Sequence, residues 1–80
     1  MKREQIKDSV VDIIAFHLSI DKSTIAESSI ITDDLGADSL DEIELLMMIE
    51  EGFDLDIDDT QGESVKTVGE VVDGLVKLLS

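Results

Sequence analysis

Apolar residues recur three or four positions apart in three separate segments of this chain, the spacing that places side chains on one face of an α-helix. Between residues 3 and 17 the spacing predicts an amphipathic first helix, whose core-facing residues are Ile6, Val10, Ile13, Ile14 and then Leu18. Similar segments run from residue 38 to about 52 and from 67 to 79. Neither a valine-rich alternation nor a hairpin turn signal is present. The sequence therefore predicts an all-α fold.

The connections between these segments define the expected topology. Residues 19–36 show no sustained period, so we expect a long first loop, with one helical turn starting near Asp21. Residues 60–64 allow only a short helix, and Thr67 to Glu70 form a capping-box pattern that opens the last helix. The prediction is a small antiparallel four-helix bundle with one short helix, formed by a single domain that spans residues 1–80.

The second helix carries more apolar surface than one buried stripe requires. Leu46, Ile49 and Phe53 share one side and are assigned to the core. Another side holds Leu40, Ile43 and Met47, which we expect to form an exposed or half-exposed rim beside Ser39. Helix two is therefore predicted to present an apolar binding surface.

The net charge of −14 is concentrated in the middle of the chain. Residues 23–65 contain fourteen Asp and Glu residues and no Lys or Arg, whereas the other 37 residues balance six acids against six bases. Such a field repels nucleic acid and anionic lipid and steers basic protein surfaces toward the domain. We therefore expect protein partners with basic patches and no nucleic acid.

One serine stands where a turn meets the start of the acidic helix, in the run Leu35-Gly36-Ala37-Asp38-Ser39-Leu40-Asp41. Asp38 is a credible N-cap, and the first turn of a helix favours a phosphate. This run resembles the prosthetic-group attachment motif of acyl carrier proteins, and the resemblance extends from about residue 6 to 79. In that family the serine carries covalent 4'-phosphopantetheine from coenzyme A, whose thiol holds an acyl chain as a thioester. By resemblance Ser39 is that serine, with Asp38 beside it.

The resemblance also implies a set of contacts with partner enzymes. Acidic residues on and after helix two would dock on basic surfaces of the holo-carrier synthase, malonyl transferase and other fatty-acid synthesis enzymes, around an apolar centre. The residues so implied are Leu40, Asp41, Ile43, Glu44, Met47, Glu50, Glu51 and Asp59. The family shelters its acyl chain between helices, which by analogy gives a lining of Leu46, Ile49, Phe53, Ile57, Val65 and Val68.

Neither catalysis nor a dedicated metal site is expected from the sequence. The only histidine, His17, ends a different helix from Ser39, and a lone histidine there is more often a surface or dipole-stabilising residue than a base. The alternating aspartates from Asp54 do not match an EF-hand, because Asp59 and Val65 occupy the positions of its glycine and glutamate. The chain is therefore predicted to be a carrier and not an enzyme.

A discrete fatty-acid synthesis carrier is the favoured function, because Ala37-Asp38 before the serine resembles that branch more than peptidyl carriers. One alternative is a polyketide carrier or an aminoacyl carrier of the D-alanyl type. The other is an acidic adaptor subunit that never uses Ser39. The chain has no cysteine, and no apolar run long enough for a signal peptide or membrane span. We expect a cytoplasmic monomer without stable membrane association.

Overall fold

Three α-helices account for most of the backbone that the structure describes. The computed structural model describes residues 2–57 and 65–79. Helix α1 spans Arg3–Leu18, α2 spans Ser39–Phe53 and α3 spans Val68–Leu79, with a 3-10 turn at Lys22–Thr24. The described residues contain no strand, only a single bridge between Ile30 and Thr67, and none of their helices has the length and apolar character needed to cross a membrane. The all-α prediction is confirmed, while the predicted short helix at 60–64 lies outside the described residues.

Helix α1 is the centre of the packing, because both α2 and α3 contact it. Its predicted face is buried: Ile6, Val10 and Ile14 are almost fully inaccessible, while Ile13 and Leu18 are half-buried against them. From α3, Val68, Val72 and Leu75 complete the core. Each such buried side chain contributes about 1.5–3 kcal/mol relative to an exposed one, so this cluster supplies most of the apolar stabilisation.

The core-facing side of α2 differs from the predicted one at a single position, Leu46. Ile49 is buried as expected and Phe53 packs half-buried against the core. Leu46, however, is only half-buried, and the deeply buried residue is its neighbour Leu45, which is 4% exposed. Since residues 45 and 49 lie one helical turn apart, they define the face that meets α1, and Leu46 falls at its edge. The assignment of Leu46 to the core was therefore wrong.

Helix α2 ends one residue later than predicted, and a non-glycine residue makes the turn. Asp54 adopts the left-handed conformation, with φ of 54°, and its amide donates to the carbonyls of Glu50 and Glu51. Gly52 stays inside the helix, where a Cβ would lie 3.5 Å from Ile13 Cδ1 on α1. The glycine thus lies on the side of α2 that packs against α1, and does not terminate the helix.

The long loop is confirmed, and backbone hydrogen bonds fix it to the start of α3. Ile31 N donates to Lys66 O at 3.0 Å, and Val68 N donates to Ser29 O at 3.1 Å. Gly69 N donates to Glu27 O at 2.8 Å, and a Cβ at position 69 would meet that same oxygen at 3.1 Å. A glycine at this position therefore permits the close approach of the loop to the helix.

Candidate functional site

The turn that leads into α2 fixes the position of Ser39. Gly36 has a φ of 78°, which glycine adopts without steric cost, and its amide donates to Thr32 O at 3.1 Å. The next residue, Ala37, is buried, and its amide donates to Ile31 O at 3.1 Å. These two hydrogen bonds fix the backbone just before Ser39. The loop that accepts them is itself hydrogen-bonded to the start of α3.

Ser39 is the first residue of α2 and is exposed to solvent. Asp38 is the N-cap, as predicted, and its carboxylate accepts from Asp41 N at 2.8 Å. The Asp41 carboxylate in turn accepts from Asp38 N at 3.1 Å, which completes a reciprocal capping box. The serine oxygen thus sits at the positive end of a helix with open space around it, which fits a phosphodiester.

The capping contacts also act on the charge of Asp41. The backbone amide of Asp38, with a smaller effect from the His17 ring, holds the pKa of the Asp41 carboxyl below its usual range. Its carboxylate therefore stays ionised at neutral pH, next to the serine. A negative charge at this position also suits the positive N-terminal end of α2.

The predicted apolar rim lies on the outward side of α2. Leu40 is 62% exposed, Ile43 58% and Met47 56%. The three side chains follow one another at helical spacing directly after Ser39. They form the apolar surface that the sequence predicted, which we call the α2 rim.

Acidic residues border the α2 rim, and two of them contact the single histidine. His17 Nε2 on α1 lies 3.1 Å from Asp41 Oδ1 and 3.2 Å from Glu44 Oε2. Further along α2, Glu50 is half-buried and Glu51 exposed, while Asp59 lies outside the described residues. Sequence reasoning missed this role of His17, because the pairing spans 24 residues and only the packing of α1 on α2 creates it.

An open cleft runs between α2 and α3 with Ser39 at its edge. Of the residues expected to shelter an acyl chain, Leu46, Ile49, Ile57 and Val65 line it. The described lining does not include Val68, which lies in the core, or Phe53, which packs against it. Residues of the loop and of α3 that the prediction did not name also line it, including Ile30, Ile31, Val71, Leu75 and Leu78. Ile43 and Met47 of the α2 rim reach the cleft as well.

Comparison with known proteins shows which proteins this chain is similar to. Residues 8–75 match the family model described as a phosphopantetheine attachment site. An acyl carrier protein of Syntrophobacter fumaroxidans is 50% identical over 68 residues, which cover 85% of this chain and 84% of that protein. One of Chlorobium phaeobacteroides is 44% identical over 77 residues, covering 96% and 99%. One of Cyanidioschyzon merolae is 42% identical over 77 residues, covering 96% and 85%.

Proposed function

Because this chain belongs to the acyl carrier protein family, and so carries acyl chains on a covalent 4'-phosphopantetheine arm, we propose that Ser39 is the residue that holds the arm. The protein is a carrier that other enzymes load, and it is not a catalyst. The observation that supports Ser39 is its position: it is exposed, begins α2 and directly follows the capping Asp38. When attached, the arm supplies a thiol that holds the acyl group as a thioester.

Attachment to Ser39 is a group transfer from coenzyme A. The serine oxygen forms a phosphodiester with the phosphate of the phosphopantetheine, the bond from that phosphate to the nucleotide breaks, and adenosine 3',5'-bisphosphate leaves. The serine proton passes to a base of the transferase. Asp38 keeps the first turn of α2 formed, so that the helix N-terminus faces the new phosphodiester.

The α2 rim and its acidic border form the proposed docking surface for partner enzymes. Its apolar centre is Leu40, Ile43 and Met47, and its charged members are Asp41, Glu44, Glu50 and Glu51, with Asp59 included from sequence. Charges at the edge speed encounter with basic surfaces, while a small apolar centre gives modest affinity. This combination suits a carrier that visits the holo-carrier synthase, the malonyl transferase and the fatty-acid synthesis enzymes in turn.

The cleft between α2 and α3 is the proposed shelter for the acyl chain. Apolar side chains of Leu46, Ile49, Ile57 and Val65 face it, and Ser39 lies at its edge, so an arm on Ser39 starts beside its mouth. Phe53 and Val68 would support the lining residues from the core side, since Val68 lies in the core and Phe53 packs against it.

Fatty-acid synthesis in the cytoplasm is the proposed setting, since relatives with the printed name acyl carrier protein match most of the chain. The proposed architecture remains a single-domain, antiparallel four-helix bundle that acts as a monomer, with the short helix predicted from sequence at 60–64. A polyketide or aminoacyl carrier uses the same arm, so cargo is tested separately, by loading the phosphopantetheinylated protein with a malonyl transferase or with an adenylating ligase.

Intact mass spectrometry tests the attachment site. The protein is incubated with coenzyme A and a broad-specificity phosphopantetheinyl transferase, and we expect a mass gain of one phosphopantetheinyl group. Ser39→Ala should show no gain, whereas Ser28→Ala, at an exposed serine of the first loop, should gain the group normally. A gain in Ser39→Ala, or none in the folded wild-type protein, would contradict the proposal and, in the second case, favour an acidic adaptor.

A further inference from the structure

The ring of His17 joins α1 to two carboxylates of α2. Its Nε2 lies 3.1 Å from Asp41 Oδ1 and 3.2 Å from Glu44 Oε2, and the three donor atoms all lie within 4.8 Å of one another. The ring is well shielded, with 16% of the side chain exposed, while the two carboxylates remain accessible at 30% and 44%. Asp41 and Glu44 are three residues apart on one helix, so both project toward the same point.

We propose that His17, Asp41 and Glu44 form a binding site for a divalent transition-metal ion of the Zn²⁺ class. One imidazole nitrogen and two carboxylate oxygens are ligands that Zn²⁺ accepts, at bond lengths of about 2.0–2.2 Å. Two ligands of a tetrahedral ion at that bond length lie about 3.3 Å apart, close to the two nitrogen–oxygen distances here. Three protein ligands leave one position for water.

The Asp41 carboxylate is already oriented for this role. Its Oδ2 accepts a hydrogen bond from the Asp38 amide at 3.1 Å, while Oδ1 is the atom that faces His17. The two oxygens therefore have separate tasks, because one fixes the carboxylate and the other is directed at the site. Outer hydrogen bonds of this kind orient metal ligands and raise affinity. Glu44 is more exposed, and its longer side chain can adjust to complete the coordination.

The imidazole distinguishes this site from general cation binding by the acidic middle of the chain. Mg²⁺ and Ca²⁺ prefer oxygen ligands, so they gain nothing specific from His17. Nitrogen ligands favour Zn²⁺, Co²⁺ or Ni²⁺. A protonated His17 that makes two ion pairs would give the same distances without a metal, and the experiment below separates the two cases.

Occupation of the site would change the α2 rim. A bound ion tethers the end of α1 to the first two turns of α2 and neutralises Asp41 and Glu44, two carboxylates of the docking surface. We therefore expect Zn²⁺ to weaken docking of basic partners. This consequence rests on the proposed function, whereas the binding of the metal does not.

Isothermal titration calorimetry of the full chain with ZnCl₂ tests the site, with millimolar MgCl₂ present to occupy the other carboxylates. We expect one saturable Zn²⁺ site in the wild-type protein. His17→Gln and Glu44→Gln should each weaken it by about tenfold or more. Glu51→Gln, which removes an exposed charge from the same helix, should change it less than about twofold and serves as the matched control. Circular dichroism checks that each variant is folded.

Nuclear magnetic resonance gives a direct second readout, since His17 is the only histidine. Zn²⁺ should shift its ring signals in the wild-type protein and also in Ser39→Ala, which keeps the metal site but loses the arm. Failure of the metal site is therefore distinguishable from failure of the proposed attachment at Ser39. Equal Zn²⁺ affinity in His17→Gln and wild type, unshifted ring signals, or no saturable binding in the wild type would each overturn the proposal and leave His17 as an ion-pairing residue.

Discussion

Asp38 and Asp41 cap each other across the first turn of α2. The amide of Asp41 donates to the Asp38 carboxylate at 2.8 Å, and the amide of Asp38 donates to the Asp41 carboxylate at 3.1 Å. Ser39 lies between them as the first helical residue. The geometry at the proposed attachment serine therefore depends on two side chains that flank it in sequence and satisfy donors that the helix itself leaves unpaired.

Replacing Asp38 with Ala should lower the free energy of unfolding by about 1 kcal/mol, because the helix loses its N-cap. We also expect slower phosphopantetheinylation, since the first turn that carries Ser39 frays. Urea denaturation and initial rates with a phosphopantetheinyl transferase measure the two effects.

Asp38→Asn is the matched control, since asparagine caps about as well as aspartate without the charge. It should keep the stability of the wild-type protein. If Asp38→Ala were as stable as Asp38→Asn, the capping contact would contribute nothing and the position of Ser39 would need another explanation.

Leu45→Ala should destabilise the protein by about 2–5 kcal/mol, the range for a leucine removed from a packed core. Leu45 is 4% exposed, whereas its neighbour Leu46 is half-buried at the edge of the cleft, so Leu46→Ala should cost clearly less. Thermal unfolding of both variants checks the order. A larger loss for Leu46→Ala would mean that α2 packs on the face that its sequence first suggested.

Much of the fold follows from local sequence rules. The face of α1 was predictable because five apolar residues follow one helical period. The start of α2 was predictable from Asp38 as its N-cap, and the start of α3 from the capping-box pattern of Thr67 and Glu70. The exposed rim of Leu40, Ile43 and Met47 was also predicted correctly, since α2 has apolar residues on more sides than one core can cover.

The errors arose where tertiary packing decides between similar candidates. Leu45 and Leu46 have the same side chain and differ only by 100° around α2, so their sequence gives no reason to choose until α1 is packed against the helix. The contact of His17 with Asp41 and Glu44 joins residues that are distant in the chain, so no local sequence pattern predicts it. A site formed by residues of two helices therefore cannot be predicted from the periodicity of either helix alone.

Ile43→Ser should weaken recognition by a phosphopantetheinyl transferase by about tenfold in kcat/KM, because it places a hydroxyl at the centre of the proposed docking surface. Ile43 is 58% exposed, so the free energy of unfolding should hardly change. Steady-state kinetics with the apo protein as the varied substrate provides the measurement.

Phe16→Ser controls for the general loss of exposed apolar surface. Phe16 is 80% exposed on α1, outside the α2 rim. It should leave kcat/KM unchanged, and equal losses in the two variants would mean that the rim has no special role in docking.

Glu70 links the stability of α3 to pH. Its Oε1 accepts from Thr67 N at 3.0 Å, from Thr67 Oγ1 at 3.1 Å and from Lys66 N at 3.3 Å. The amide of Thr67 has the largest effect, and together these donors hold the pKa of the Glu70 carboxyl below its usual range. Because the pKa is lower in the folded than in the unfolded chain, the stabilisation is complete above the unfolded value of about 4.5 and is lost as pH falls through the lower folded value.

Glu70→Gln should therefore lower the urea midpoint at pH 7, and the difference from wild type should shrink toward zero at a pH below the lowered folded pKa of Glu70, where both side chains are neutral. Thr67→Ala serves as the comparison, because the Thr67 hydroxyl accepts from Glu70 N at 3.1 Å whatever the charge of Glu70. Thr67→Ala should therefore remain less stable than the wild-type protein at low pH, by most of the difference seen at pH 7. A Glu70→Gln difference of the same size at both pH values would show that the glutamate caps α3 through its shape and not through its charge.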